Sequence, residues 1–321
     1  MKICLVGSIL RHTVESDAGT YSGWGGMTES AIAPFAALLD PGSEIYFVGS
    51  VGAEDLEEVR DFYKQHYPFV NTSGIRVNPA GTDHHHGTKH FVKRKVQVEP
   101  TTFEHIEPFI HDADVVVFNF GNIDDIDPEA IKKVKENSSA LVYVDVHRKP
   151  FGADEHGYMF VRGWQGWENY LGYADVVQMD KNECEALFNT KIQTLHDSAM
   201  CAKAVLDAGA KTALMTLGAQ GILLAYKDHE YTYVHIPAVP CTVKDTTGCG
   251  DAMAAGYLVG WHEGASPIDA AKKGALMGAV NCEFVGYMKG LDRRMIEERM
   301  PADFAHTLLD LESEIPRNIF V

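Results

Sequence analysis

The stretch Lys244-DTTGCGD-AMAAGYLVGWHEG carries the densest chemistry in the chain. Gly248 and Gly250 stand just ahead of a run that is helical by composition and spacing, and Asp251 opens that run. Glycine tolerates φ > 0 and lets a ligand approach the backbone closely. A helix start presents unpaired N–H groups and the positive end of the macrodipole. Together these features predict a phosphate-holding turn built on the N–H groups of Gly248, Cys249, Gly250 and Asp251. A carboxylate suits the helix dipole yet repels a bound phosphate. Asp251 makes sense there as a base that takes a proton from an attacking hydroxyl. The plainer alternative is that it only stabilises the helix start while Thr246 or Thr247 caps it.

Two rival glycine patterns do not fit. A dinucleotide fingerprint needs G-x-G-x-x-G directly after a strand, but here Met253 occupies the third glycine position. The pattern G-x-x-x-x-G-K-[ST] is absent. Hydride transfer and P-loop chemistry are both disfavoured.

The elements that must position this turn follow from patterning. Short apolar runs recur at Ile3–Val6, Ile45–Val48, Val115–Phe118, Leu141–Val146, Val176–Met179 and Ala213–Leu217. Such runs suit strands buried on both faces, hence a mostly parallel sheet covered by helices. Asp127-Pro128 opens one intervening helix, and Ser198–Ala208 carries apolar residues at helical spacing before Gly209. Alternation of the two element types predicts a wound α/β sandwich. Gly221–Tyr226 and Glu230–Ile236 flank Lys227-Asp228-His229 and predict a β-hairpin. Residues 72–98 break the rhythm with polar/apolar alternation and predict strands standing apart from the main sheet, a small lid. With no linker-like composition, residues 1–321 read as one folded unit.

Charge and cysteine content narrow the partners. Lys+Arg is 28 and Asp+Glu is 45, so the formal charge is 28 − 45 = −17. A surface this acidic argues against nucleic-acid and membrane partners. Six scattered cysteines without a CxxC pair read as reduced thiols, consistent with a cytoplasmic location. Adjacent histidines cannot all face one ion, so His84-His85-His86 is not read as a structural zinc site.

At this level of detail the chain resembles the PfkB carbohydrate kinase (ribokinase-like) family. DTTGCGD is similar to that family's D-T-x-G-A-G-D signature, with Cys249 replacing the small alanine. Gly25-Gly26 resembles the sugar-contacting glycine pair, Asn182-Glu183-Cys184-Glu185 the N-x-x-E motif, and Thr216–Gly221 the T-x-G-x-x-G strand end. The resemblance implies a three-layer α/β/α sandwich with a mostly parallel central sheet and a small β lid. It implies transfer of the γ-phosphoryl group of Mg²⁺-ATP to a hydroxyl of a small molecule, a sugar or sugar derivative, with Asp251 as base. ATP would meet Asn182, Thr216, Gly218, Gly221 and Gly250. Glu185 would position Mg²⁺ through water, and Asp245 with Thr247 would hold a monovalent cation such as K⁺. Relatives often pair through their lids, which leaves a homodimer open.

The departures from the family pattern concern the acceptor. Where relatives place an acid after the first strand, this chain has Arg11 and His12, and Ser30 stands where many carry Asn. The stretch between the first strand and Gly25 reads as short for the usual lid hairpin. Gly25, Gly26, His12, Ser30, Asp145 and Asp251 form the expected acceptor site. Trp24 is a candidate to stack on a ring, and His84–His86 to reach down from the lid. Arg11, Arg148 or Lys244 would serve an acceptor with an anionic group. A nucleoside kinase is the nearest alternative, and a non-catalytic nucleotide- or sugar-binding relative is the alternative of a different class.

Overall fold

The computed structural model describes residues 1–16, 19–87, 98–156 and 158–310. In chain order its strands are β1 (Lys2–Val6), β2 (Ile9–Ser16), β3 (Gly19–Gly26), β4 (Glu44–Gly52), β5 (Val70–Asn71), β6 (Ile75–Asn78), β7 (Asp83–Gly87) and β8 (Val115–Asn119). They continue with β9 (Leu141–Asp145), β10 (Phe151–Ala153), β11 (Met159–Val161), β12 (Val176–Asp180), β13 (Thr212–Thr216), β14 (Ile222–Lys227), β15 (Tyr231–Ile236) and β16 (Thr307–Leu309).

An 11-stranded sheet runs in the order β16-β15-β14-β13-β12-β9-β8-β1-β4-β5, with β6 also paired to β4. From β5 to β13 every pairing is parallel, and β14, β15 and β16 close one side antiparallel. The strands are apolar because both faces are covered. Ile3, Leu5, Val115 and Val117 point into one core with the helices Ile32–Leu38, Cys249–His262 and Pro267–Asn281. Their alternate neighbours Cys4, Val6, Val116 and Phe118 point into a second core with the helices Glu129–Asn137 and Leu195–Ala208. Period-two alternation through a two-sided sheet gives the three layers expected from the sequence.

The predicted β14–β15 hairpin is present. The helix expected from Ser198 starts earlier, at Leu195, because Thr194 accepts from the Asp197 N–H and forms a capping box. Asp127 accepts from the Glu129 N–H at 3.1 Å, so it caps the helix Glu129–Asn137 from one residue further out than expected.

The small sheet requires two corrections. It is built in the order β3-β2-β7 and takes most of its residues from the segment read as too short for a hairpin. Two eight-residue strands fit between Ile9 and Gly26 because a hairpin connection needs very few residues. Of the segment 72–98, β7 joins this sheet, but β6 pairs with β4. Residues 88–97 lie outside the described residues. The alternation that suggested a lid is equally compatible with an edge strand of the main sheet.

Candidate functional site

Parallel strands end on one edge of their sheet, and ligands bind outside that edge in wound α/β folds. Asn119 pairs with Asp145 across β8 and β9, and Asp145 pairs with Gln178 across β9 and β12. Residues in one cross-strand row share a face, so three polar side chains converge beneath the turn at Gly248. Asn119 Nδ2 donates to Asp251 Oδ1 at 3.0 Å and to Asp145 Oδ2 at 3.1 Å. Gln178 Nε2 donates to Asp145 Oδ2 at 3.1 Å and to the Gly250 carbonyl at 3.3 Å. The Tyr143 hydroxyl donates to Gln178 Oε1, which fixes the amide orientation. The amide row therefore locks both Asp251 and its turn to the strand ends.

The turn has the expected geometry. Gly248 caps the helix Cys249–His262 in the left-handed region at φ 75°, and a Cβ there would stand 2.9 Å from the Tyr287 ring. No side chain but hydrogen fits without strain. The Cys249 N–H reaches the Thr246 carbonyl at 3.3 Å, while those of Gly248, Gly250 and Asp251 meet no acceptor among the described residues. Such a cluster of free N–H groups suits anionic oxygens. Half-buried Asp251 has its carboxyl raised above the usual range by burial, an effect eased by His147 and Ser30. A carboxylate held above its ordinary pKa is the more effective proton acceptor.

The expected nucleotide residues divide. Thr216 ends β13 beside Asp180, whose following residues begin the helix Lys181–Phe188 carrying exposed Asn182. Gly218 is exposed in the connection after Thr216, and Gly221 adopts φ 93° as its hinge. Glu185 goes elsewhere: Lys191 Nζ lies 2.7 Å from one carboxylate oxygen and the Ile192 N–H 3.0 Å from the other. The acid of this helix that joins the site is Glu183. Its ligand atom lies within 4.8 Å of those of Asp145 and His147. Burial first, then repulsion among Glu183, Asp145, Asp180 and Asp251, raises both the Asp145 and Glu183 carboxyls well above their usual range. A cation placed there would relieve that cost. His147 is held at φ 41°, a conformation uncommon outside glycine.

Asp245 accepts from the Thr247 N–H at 3.0 Å, the Thr247 hydroxyl at 2.9 Å and the Gly286 N–H at 3.0 Å. This braces the loop before the turn. Gly26 starts the helix Met27–Ser30 at φ 67°, and a Cβ on Gly25 would strike His12. The glycine pair thus lets β3 lie closely against β2 and against Ser8, where the chain leaves β1. Ser30 donates to the Gly26 carbonyl at 2.6 Å, and His12 Nδ1 lies 3.2 Å from the Tyr287 hydroxyl. Gly25, Gly26, His12 and Ser30 are therefore gathered around Tyr287 and the Gly248 turn. Trp24 is buried and covered by the Arg11 guanidinium 3.7 Å from its ring, so it is a packing residue and not a stacking platform. Arg11 is itself bound to Asp55 at 2.7 Å and Glu58 at 2.6 Å. Alternation in β7 leaves His84 exposed and turns buried His85 toward Arg148. Asn119, Gln178, Tyr143, Glu183 and Tyr287 were missed by sequence reading. The one available signal was Gln178, a polar residue inside the apolar run VVQMD.

A three-layer sheet, a small sheet over its carboxyl edge and a glycine turn opening a helix define a ribokinase-like protein. A profile described as "pfkB family carbohydrate kinase" matches residues 40–293, and the chain belongs to that family. It is 29% identical over 132 residues to an uncharacterized sugar kinase of Archaeoglobus fulgidus, covering 41% of this chain and 49% of that protein. It is 32% identical over 111 residues to 1-phosphofructokinase of Haloferax volcanii, covering 33% and 35% of the two. The matched stretches thus span half or less of those relatives. The fold resembles Arabidopsis thaliana ribokinase complexed with ribose and ATP, at TM-score 0.70 and 19% identity, covering 93% of this chain and 98% of that one.

Proposed function

We propose that this protein is a phosphotransferase that moves the γ-phosphoryl group of ATP to a hydroxyl of a small molecule, a sugar or sugar derivative. The observation that carries the reading is a carboxylate, Asp251, third residue of a helix at whose start the N–H groups of Gly248, Gly250 and Asp251 meet no acceptor among the described residues. In-line transfer needs little covalent help from protein, but it needs a positioned nucleophile and stabilised phosphoryl oxygens. Asp251 accepts the hydroxyl proton as the oxygen attacks. The N–H groups of Gly248, Gly250 and Asp251 take up charge on the transferred group. Asn119 keeps Asp251 aimed, and Gln178 keeps the turn in place.

Asn182, Thr216, Gly218 and Gly221 border the nucleotide on this reading, at the ends of β12 and β13. Gly25, Gly26, His12 and Ser30 border the acceptor under the small sheet. Hard oxygen donors suit Mg²⁺, and the buried, mutually repelling Asp145 and Glu183 fit it better than the already paired Glu185. Bound there, Mg²⁺ would supply positive charge to the donor phosphates. Asp245 and Thr247 remain the residues for a K⁺ ion. The whole chain acts as one kinase unit, with the small sheet as its lid.

The test is ADP release from ATP and Mg²⁺ across a panel of sugars, polyols, their acids and phosphates, and nucleosides. The expected result is acceptor-dependent ADP with at least one sugar-class compound. Turnover confined to nucleosides would move the acceptor class, and a blank across the panel would overturn the kinase reading.

A further inference from the structure

Two described arginines, Arg76 and Arg148, lack a carboxylate partner; Arg76, in β6, is held by Thr101 and His105, and Arg148 stands at the cleft. Arg11, Arg162, Arg293 and Arg299 all lie against carboxylates. Half-buried Arg148 makes no ion pair with any described residue, and its one hydrogen bond runs from NH1 to His85 Nδ1 at 2.9 Å. A guanidinium only donates, so His85 must accept at Nδ1 and carry its proton on Nε2. That nitrogen lies 3.2 Å from Asp83 Oδ2, which also accepts from Asn122 Nδ2 at 2.9 Å. Asn122, Asp83 and His85 thus form a buried bracket that fixes the guanidinium and leaves most of its five N–H donors unused. Arg148 and His85 line a cavity with Asn122, Phe151 and Met159.

This bracket faces the acceptor side of the cleft. His12 stands edge-on to His85 with ring centroids 6.4 Å apart, and bonds the Tyr287 hydroxyl whose ring packs on the Gly248 turn. Burial first, then His85 and Arg148, lower the His12 pKa to about 4. His12 is thus a neutral neighbour, and Arg148 is the cation on this side of the cleft, with Asp83, Glu183 and Asp125 acting on it from a distance. A half-buried guanidinium with most of its donors unused is costly unless an anion completes it, and both carboxylate and phosphate oxygens fit its fork.

We propose that the acceptor is a polyhydroxylated molecule bearing an anionic group, carboxylate or phosphate, which Arg148 binds at the end remote from the hydroxyl presented to Asp251. This rests on the kinase reading above and names the substrate class of the same site. Charge-assisted bonds contribute roughly 1.5–3 kcal/mol, about 10- to 150-fold.

The test compares kcat/KM for matched acceptors, a neutral sugar with its sugar acid and its sugar monophosphate, in wild type, Arg148→Ala and Arg148→Lys. Wild type should prefer one anionic member at least tenfold, and the better arm tells carboxylate from phosphate. Arg148→Ala should lose that preference while neutral turnover changes less than about threefold, with Arg148→Lys between. A neutral preference in wild type, or an equal loss on both acceptors in Arg148→Ala, overturns the anion pocket and leaves the kinase intact. If no acceptor turns over, the kinase reading falls instead. Calorimetric binding of the same sugar acid and sugar phosphate then decides the pocket: wild type binds and Arg148→Ala does not if it exists, and no difference overturns it.

Discussion

Replacing Asp251 by Asn removes a proton acceptor while leaving the shape of the turn unchanged. The new amide oxygen can still accept from Asn119 Nδ2, which now lies 3.0 Å from Asp251 Oδ1. Asp145 is poorly placed to take over, because it is buried and its Oδ2 is already engaged by Asn119 and Gln178. General-base loss typically costs 10²- to 10⁴-fold, about 2.7–5.4 kcal/mol of barrier. The expected kcat/KM for ADP release therefore falls by at least two decades. Burial raises the Asp251 pKa, so the folded state disfavours its charge and loses stability as pH rises through that pKa. Asp251→Asn should hence melt at the wild-type temperature or above at pH 7–8. ATP affinity, read by calorimetry, should hold or tighten as a negative charge leaves the phosphates. In wild type, activity should rise tenfold per pH unit up to the raised pKa, and this limb should vanish in the variant. A folded Asp251→Asn protein that keeps more than a tenth of wild-type kcat/KM would refute the role of the base.

Two further outcomes follow from particular atoms. Gly248→Ala forces a Cβ to within 2.9 Å of the Tyr287 ring at φ 75°, a backbone cost of roughly 1–2 kcal/mol before the clash. A lower Tm with a more than tenfold fall in kcat/KM is expected, and wild-type values for both would show the turn to be tolerant. Asp125, buried with Oδ1 unpartnered, has its pKa raised from 3.8 to about 7, mainly by burial. The folded state holds that proton longer than the unfolded chain, so stability should fall as pH rises from about 4 to about 7. The gap corresponds to about 4 kcal/mol at most, at ~1.36 kcal/mol per pH unit. Asp125→Asn should flatten that part of the Tm-versus-pH curve, and an unchanged slope would assign the proton elsewhere.

The parts of this protein that were readable in advance are those specified by contiguous residues. The apolar strands, the β14–β15 hairpin and the Gly248 turn each depend on a period or on a short run of residue types, and each is where the sequence puts it. What escaped depends on register and rotation. The row Asn119, Asp145 and Gln178 exists only because three strands separated by 26 and 33 residues align at those positions. Nothing local encodes that alignment, since a one-residue slip would turn each side chain to the opposite face. Glu183 and Glu185 differ by about 200° around their helix, and a motif written by spacing cannot say which acid looks inward. Their neighbours decide it. Asp180 N donates to Glu183 Oε2 at 2.7 Å and pins it at the strand end, while Lys191 and the Ile192 N–H draw Glu185 outward. The same logic separates Arg11 from Arg148, which the sequence presents as equals. Asp55 and Glu58 neutralise the first from more than 40 residues away, and the second meets an imidazole 63 residues away. The turn proposed for catalysis was legible because its residues are contiguous, whereas the proposed acceptor pocket depends on which distant charges are left unpaired when the chain is folded.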